Sequence, residues 1–202
     1  MTPASYRTGG DQASANGGAD AALSARRPCG TLRPGCPVFD LFSEFNQVVR
    51  AFRRTRVKYA VVGGLAVTVH GYVRATEDMD ILVHPKDLAR AGVALRGLGY
   101  APMAPPWSFS NSRMTLHRFF RPARGGTEDF YVLDVLVPDD DAGLDVIRRA
   151  ARLKWSDGSI RVAREQDLID MKRKRGSAED LLDIKHLEAK IAKKTHQGRA
   201  RH

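Results

Sequence analysis

The sequence predicts an α/β (α+β) domain, a mixed twisted sheet flanked by helices and closed by helices at its C-terminal end. Three observations carry that reading. Val57–Val62 is a short apolar run that ends in the glycine pair Gly63-Gly64, and a helix follows directly. Asp78–His84 is a second strand with Asp-x-Asp at its start, and Tyr131–Val137 is a third, almost wholly apolar run holding Asp134. Between and after them, apolar residues recur at helical spacing.

Order is expected to begin near Phe39. Residues 1–38 are rich in Gly, Ala and Ser with few large apolar side chains, so they bury too little to offset the entropy of ordering. They are read as a disordered tail. Phe39, Leu41, Phe42, Phe45, Val48, Val49 and Phe52 then lay out an amphipathic helix to about Arg54. After the first strand, Gly64–Tyr72 is a short helix, and Pro85 opens a helix to Gly97 with Leu88, Ala91 and Leu95 on its apolar stripe. Tyr100–Met103, Met114–Arg121 and Phe130–Val137 read as strands, separated by Pro105-Pro106 and Gly125-Gly126. Ala142–Ala151 reads as a helix. Arg152–Trp155 and Ile160–Val162 flank Ser156-Asp157-Gly158-Ser159, a hairpin turn. Two further helices are expected from Arg164 to Lys193, broken at Gly176 with Ser177 as N-cap. The domain is thus drawn at 39–193, with 164–193 its helical end and 194–202 a frayed basic tail.

Formal net charge is +10, and residues 1–38 contribute only four Arg and two Asp. Most of the excess therefore belongs to the folded part. It fits a polyanion such as RNA or a nucleoside triphosphate, and equally a high-arginine chain with solvated surfaces. No apolar stretch is long enough to span a membrane, and the N-terminus lacks the apolar core of a signal peptide. A cytoplasmic protein is expected. Cys29 and Cys36 have no companion histidines at ligand spacing and are read as incidental. His70, His84 and His117 lie on separate elements and are read as structural or surface residues.

Carboxylates are poor strand residues, so Asp78 and Asp80 demand a reason. Alternation puts both on one face, about 6–7 Å apart along the strand. Their repulsion is naturally neutralised by a divalent cation. At Gly63 and Gly64 the missing Cβ lets a phosphate approach the backbone. If the third strand lies beside the second, Asp134 joins Asp78 and Asp80 around one or two metal ions. Three carboxylates with open metal positions suit phosphoryl-type transfer. The plain alternative is that Asp134 is only a strand residue, or pairs with an arginine.

Gly63-Gly64, Asp78-x-Asp80 and Asp134 together resemble the signature of the DNA polymerase β-like nucleotidyltransferase superfamily. Within it, Gly63-Gly64-Leu65-Ala66, Arg74-x-Thr76-x-Asp78-x-Asp80 and Leu168-Ile169-Asp170-Met171-Lys172 with Arg175, Asp180 and Asp183-Ile184 are similar to AbiEii-type nucleotidyltransferases. That group includes toxins of type IV toxin–antitoxin pairs. The likeness covers about residues 40–190. It implies a polymerase β-like nucleotidyltransferase fold and a Mg²⁺-dependent enzyme that moves NMP from an NTP to a hydroxyl. Two Mg²⁺ ions would be held by Asp78, Asp80 and Asp134, with Asp134 also helping to deprotonate the acceptor. Gly63, Gly64, Arg74, Thr76 and Lys172 would bind the nucleotide, although Lys172 is equally read as part of a solvated basic face. Asp180 and Asp183 are read as capping the last helix. Acceptors compatible with this likeness are RNA such as a tRNA 3′ end, a protein or a small molecule such as an antibiotic, and a toxin role would imply a cognate antitoxin. A reading of another class is a non-catalytic nucleotide-sensing or protein-binding module on the same fold.

Overall fold

The computed structural model describes residues 40–108, 113–123, 129–155 and 158–199. The expected N-terminal tail, Phe39, Cys29, Cys36, Gly125-Gly126 and the Ser156-Asp157 half of the hairpin turn lie outside the described residues.

Helix α1 (Leu41–Arg54) starts where the Asp40 carboxylate accepts the Ser43 N–H at 3.0 Å, and it buries Phe45, Val48, Val49 and Phe52. The polar member of that buried face is Glu44, which accepts the Tyr100 hydroxyl at 2.8 Å and pairs with Arg121. Strand β1 (Tyr59–Val61) is shorter than the apolar run that predicts it. Val57 donates its N–H to the Phe52 carbonyl, so it closes the turn after α1 and does not enter the sheet. Helix α2 (Gly63–Val69) and strand β2 (Asp78–Val83) follow as expected. Pro85–Asp87 is a tight 3-10 turn ahead of α3 (Leu88–Gly97), with the Asp87 carboxylate drawn back to the Lys58 N–H at 2.8 Å.

The sheet contains β3 (Ala101–Pro102), β4 (Trp107–Ser108), β5 (Met114–Pro122), β6 (Phe130–Pro138), β7 (Ala151–Trp155) and β8 (Gly158–Val162), besides β1 and β2. Its order is β3-β5-β6-β2-β1-β8-β7, with β4 also paired to β5. The β4 pairing is too short to show in the sequence pattern. β2 runs parallel to β6 and β1 parallel to β8, while the other pairs are antiparallel. This is the mixed sheet the sequence predicts. The buried residues of α1, β1, β2 and β6 share one apolar core.

Helix α4 (Asp141–Arg149) is capped by Asp140, whose carboxylate accepts the Gly143 N–H at 2.8 Å. After β8 come α5 (Glu165–Arg175) and α6 (Ala178–Arg199). Gly176 supplies the left-handed turn between them, with φ of 70°. Ser177 and Asp180 cap α6 reciprocally: Ser177 donates its N–H to Asp180 at 3.2 Å, and the Asp180 N–H reaches the Ser177 hydroxyl at 3.3 Å. Helix α6 continues to Arg199, beyond Lys193 where its apolar stripe ends. Among the described residues, no helix is long and apolar enough to cross a membrane.

Candidate active site

The glycine pair and the Asp-x-Asp strand meet because β1 and β2 are hydrogen-bonded neighbours and the Val62 N–H donates to the Asp80 carbonyl at 3.0 Å. Gly63 has φ of 64°, and a Cβ there would stand 2.6 Å from the Asp80 Cγ. Only glycine brings the backbone this close to that carboxylate. At Gly64 a Cβ would meet the Arg74 Nη2 at 2.6 Å and the Thr76 Oγ1 at 2.8 Å. The structure therefore brings Gly63 against Asp80, and Gly64 against Arg74 and Thr76. Thr76 also donates to the Asp78 carbonyl at 3.3 Å, which ties the loop to the start of β2.

β6 does lie beside β2, with Asp80 directly opposite Asp134. Registered residues share a face, and alternation adds Asp78 to it. Burial, then the charges of Asp134 and Asp78, raise the Asp80 carboxyl from 3.8 to about 6. Burial and Asp134 also raise Asp78, with Arg118 opposing the shift. Among the described residues, neither Asp78 nor Asp80 has a side-chain hydrogen bond or ion pair. Carboxylate oxygens on one face with no ion pair of their own fit a hard divalent cation.

Asp134 differs. Arg118, its directly opposed residue on β5, donates from Nε to Oδ1 at 2.8 Å and from Nη2 to Oδ2 at 2.6 Å. The sequence left open that this carboxylate pairs with an arginine, and it does. The three carboxylates share a face without converging: among the described residues no three Asp, Glu, His or Cys side chains are grouped to hold a metal ion. Arg118 is the site residue that sequence reasoning missed. The bond to Asp134 raises its guanidinium further above the ordinary arginine range, and the ring of Trp107 lies 5.7 Å away on β4.

Lys172 is not a solvated basic side chain, and with Arg175 it is one of the cations whose charge opposes the upward shift of Asp80. It is buried, with its ammonium 3.0 Å from Asp180 and 2.7 Å from Asp183. Arg175 donates from Nε to Asp180 at 2.7 Å, and Arg74 comes within 3.7 Å of Asp183 and 3.3 Å of Glu179. Asp180 is thus both a cap and, with Asp183, a buried counter-charge. Arg175, Lys172 and Ser177 hold the Asp180 carboxyl well below the usual range although burial opposes them. Through Arg74 this cluster joins α5 and α6 to the loop before β2. His70 is buried and bonded to the Ala163 carbonyl at 2.8 Å, and His84 accepts the Lys86 N–H at 3.2 Å. Both are structural, as expected.

A scan against protein-family models finds no match, and a search of curated proteins finds none. Among solved structures, the chain is similar to the lincosamide antibiotic adenylyltransferase LnuA in its lincomycin-bound form. The two share 17% identity over 73% of this chain and 96% of that one, with a TM-score of 0.53. A Thermotoga maritima protein assigned to the nucleotidyltransferases is also similar, at 12% identity over 79% of this chain and 92% of the other, with a TM-score of 0.50. At these identities the likeness shows the fold. The chain has the nucleotidyltransferase fold, and the likeness does not single out the AbiEii branch.

Proposed function

We propose that residues 39–193 form a Mg²⁺-dependent nucleotidyltransferase that moves NMP from an NTP to a hydroxyl and releases pyrophosphate. The observation that carries this reading is the pair of unpartnered carboxylates, Asp78 and Asp80, on one sheet face, with the Gly63 backbone pressed against Asp80. Magnesium bound there would balance triphosphate charge and activate the acceptor hydroxyl. Asp78 and Asp80 would hold it, joined by Asp134 once that carboxylate is free of Arg118. Gly63 and Gly64 would admit the phosphates to the backbone. Arg74 would approach them from beside Gly64, and Thr76 would fix the loop that carries it. Lys172 would support this arrangement by anchoring Asp180 and Asp183.

RNA is the favoured acceptor. Arg152 and Arg161 are direct cross-strand partners at the β7 edge, an arrangement in which like charges repel. Arg152 donates to Ser159 at 2.7 Å and Arg161 to the Ile147 carbonyl at 2.8 Å. Neither meets a carboxylate among the described residues. The strand registers put both on the face that holds Asp80, and β8 is two strands from β2, about 10 Å. A negatively charged backbone running along this edge would relieve the repulsion. A small hydroxyl acceptor is the second reading, supported by the likeness to an adenylyltransferase of lincosamides.

The test is incubation of the purified chain with each α-labelled NTP, Mg²⁺ and cell extract, with label sorted into RNA, protein and small molecules. Label in RNA is expected, reduced at least ~100-fold in Asp78→Asn and Asp80→Asn. Transfer unchanged in both variants would overturn the reading. If RNA modification makes the chain a toxin, its expression arrests growth and these variants do not; a co-expressed antitoxin would relieve that arrest.

A further inference from the structure

We propose that Arg118 is a positioning residue that withholds Asp134 from the metal site, so that a second divalent cation enters only as Arg118 leaves. This rests on the reading of Asp78 and Asp80 as metal ligands. Both Asp134 oxygens are engaged by a single planar guanidinium, at 2.8 and 2.6 Å. That two-pronged geometry is the strong form of a charge-assisted hydrogen bond. It is also built into the sheet, because Arg118 and Asp134 are direct cross-strand partners. Asp134 itself is buried, at 5% exposure, so a bare carboxylate there would be costly.

The neighbouring strand shows the contrast. Asp80, directly opposite Asp134 on the other side, has no side-chain partner among the described residues. The face thus separates its three carboxylates into an open pair and one already neutralised by a cation of the protein's own. An ion that takes the Asp134 lone pairs now held by Arg118 must displace that guanidinium and break two hydrogen bonds. Trp107 sits where it registers the exchange, with its ring 5.7 Å from the Arg118 guanidinium carbon and partly exposed. A first ion on Asp78 and Asp80 meets no such competitor.

The test measures Mn²⁺ binding to the full chain without nucleotide, by calorimetry and by electron paramagnetic resonance. One tightly bound ion is expected in the wild type, with a second entering only at higher concentration. In Arg118→Ala a second ion is expected to bind at least ~10-fold more tightly than in the wild type, and adding Asp134→Asn should remove it. Arg118→Lys should fall between, since an ammonium cannot engage both oxygens in a fork. Equal stoichiometry and affinity in wild type and Arg118→Ala, with binding lost in Asp80→Asn, would overturn the Arg118 role and leave the metal site standing. No Mn²⁺ binding in any form would overturn both. If Arg118→Ala does not fold, Trp155→Phe leaves Trp107 as the only tryptophan. Its emission should then change as Mg²⁺ fills the second site by calorimetry, and constant emission across that range would overturn the proposal.

Discussion

Gly63 and Asp80 are packed so closely that a single methyl group cannot stand between them: a Cβ on Gly63 would lie 2.6 Å from the Asp80 Cγ and 2.8 Å from its Cβ. The backbone at Gly63 is also left-handed, with φ of 64°. Gly63→Ala therefore meets two obstacles, a strained conformation costing about 1–3 kcal/mol and a displaced carboxylate. The expected outcome is a folded, less stable protein whose metal binding and nucleotidyl transfer are both lost. Thermal unfolding and Mn²⁺ calorimetry on the same preparation check it. Gly71, also at positive φ but with open space around its missing Cβ, is the control. Gly71→Ala should cost stability and leave metal binding intact.

Asp80 makes stability depend on pH with a definite sign. Its carboxyl rises from 3.8 to about 6 in the folded chain, so the native state holds this proton more tightly than the unfolded state does. The resulting stabilisation is complete below about pH 4 and fades as pH climbs through about 6. Asp80→Asn removes that dependence. In metal-free urea unfolding, the stability of the variant relative to wild type should grow between pH 4 and pH 7, by up to about 3 kcal/mol. Saturating Mg²⁺ should reverse the order at pH 7, because it stabilises only the chain that binds it. A difference between the two chains that stays flat across this pH range would contradict the assignment.

The elements around the glycine pair were legible because their signals are local. Gly63-Gly64 follows an apolar run, and Asp78 and Asp80 share a face by alternation alone. The neighbouring placement of Asp134 was conditional on strand order, and the parallel β2–β6 register supplies it. Arg118 was not legible. Its partnership with Asp134 is set by the register of an antiparallel pair, and one arginine in a strand of mixed polarity gives no local signal. The burial of Lys172 was not legible for a related reason. Within Lys172-Arg173-Lys174-Arg175 nothing in the sequence says which cation turns inward, and only the return of α6 puts Asp180 and Asp183 against the first of them.

Lys172 is consequently expected to matter for folding before it matters for chemistry. Lys172→Met would leave Asp183 with Arg74 at 3.7 Å as its remaining cation, while Asp180 keeps Arg175. Removing one partner of a buried ion pair typically costs about 3–5 kcal/mol. Denaturant unfolding should show a loss of that size. Arg173→Met, on an exposed side chain that among the described residues pairs only with Asp170 and Glu188, should change stability by less than about 1 kcal/mol. A Lys172→Met protein of wild-type stability would show that the ammonium is not needed to hold α5 and α6 together.

The β7 edge gives the sharpest test of the acceptor. Arg152 and Arg161 face each other across β7 and β8, with no carboxylate paired to either among the described residues, so neutralising either one relieves repulsion in the free protein. Arg152→Gln is therefore expected to leave stability unchanged or slightly improved. If a single-stranded RNA backbone lies along this edge, the same change removes a phosphate contact, and each lost contact lowers the slope of log affinity against log salt by about 0.7. The double variant Arg152→Gln/Arg161→Gln should then bind RNA more weakly, with a slope smaller by about 1 to 1.5, while Mn²⁺ binding at Asp78 and Asp80 stays as in wild type. Filter binding over a range of salt concentrations measures the slope. An identical slope in the wild type and the double variant would remove RNA from this edge and shift the acceptor toward a small molecule.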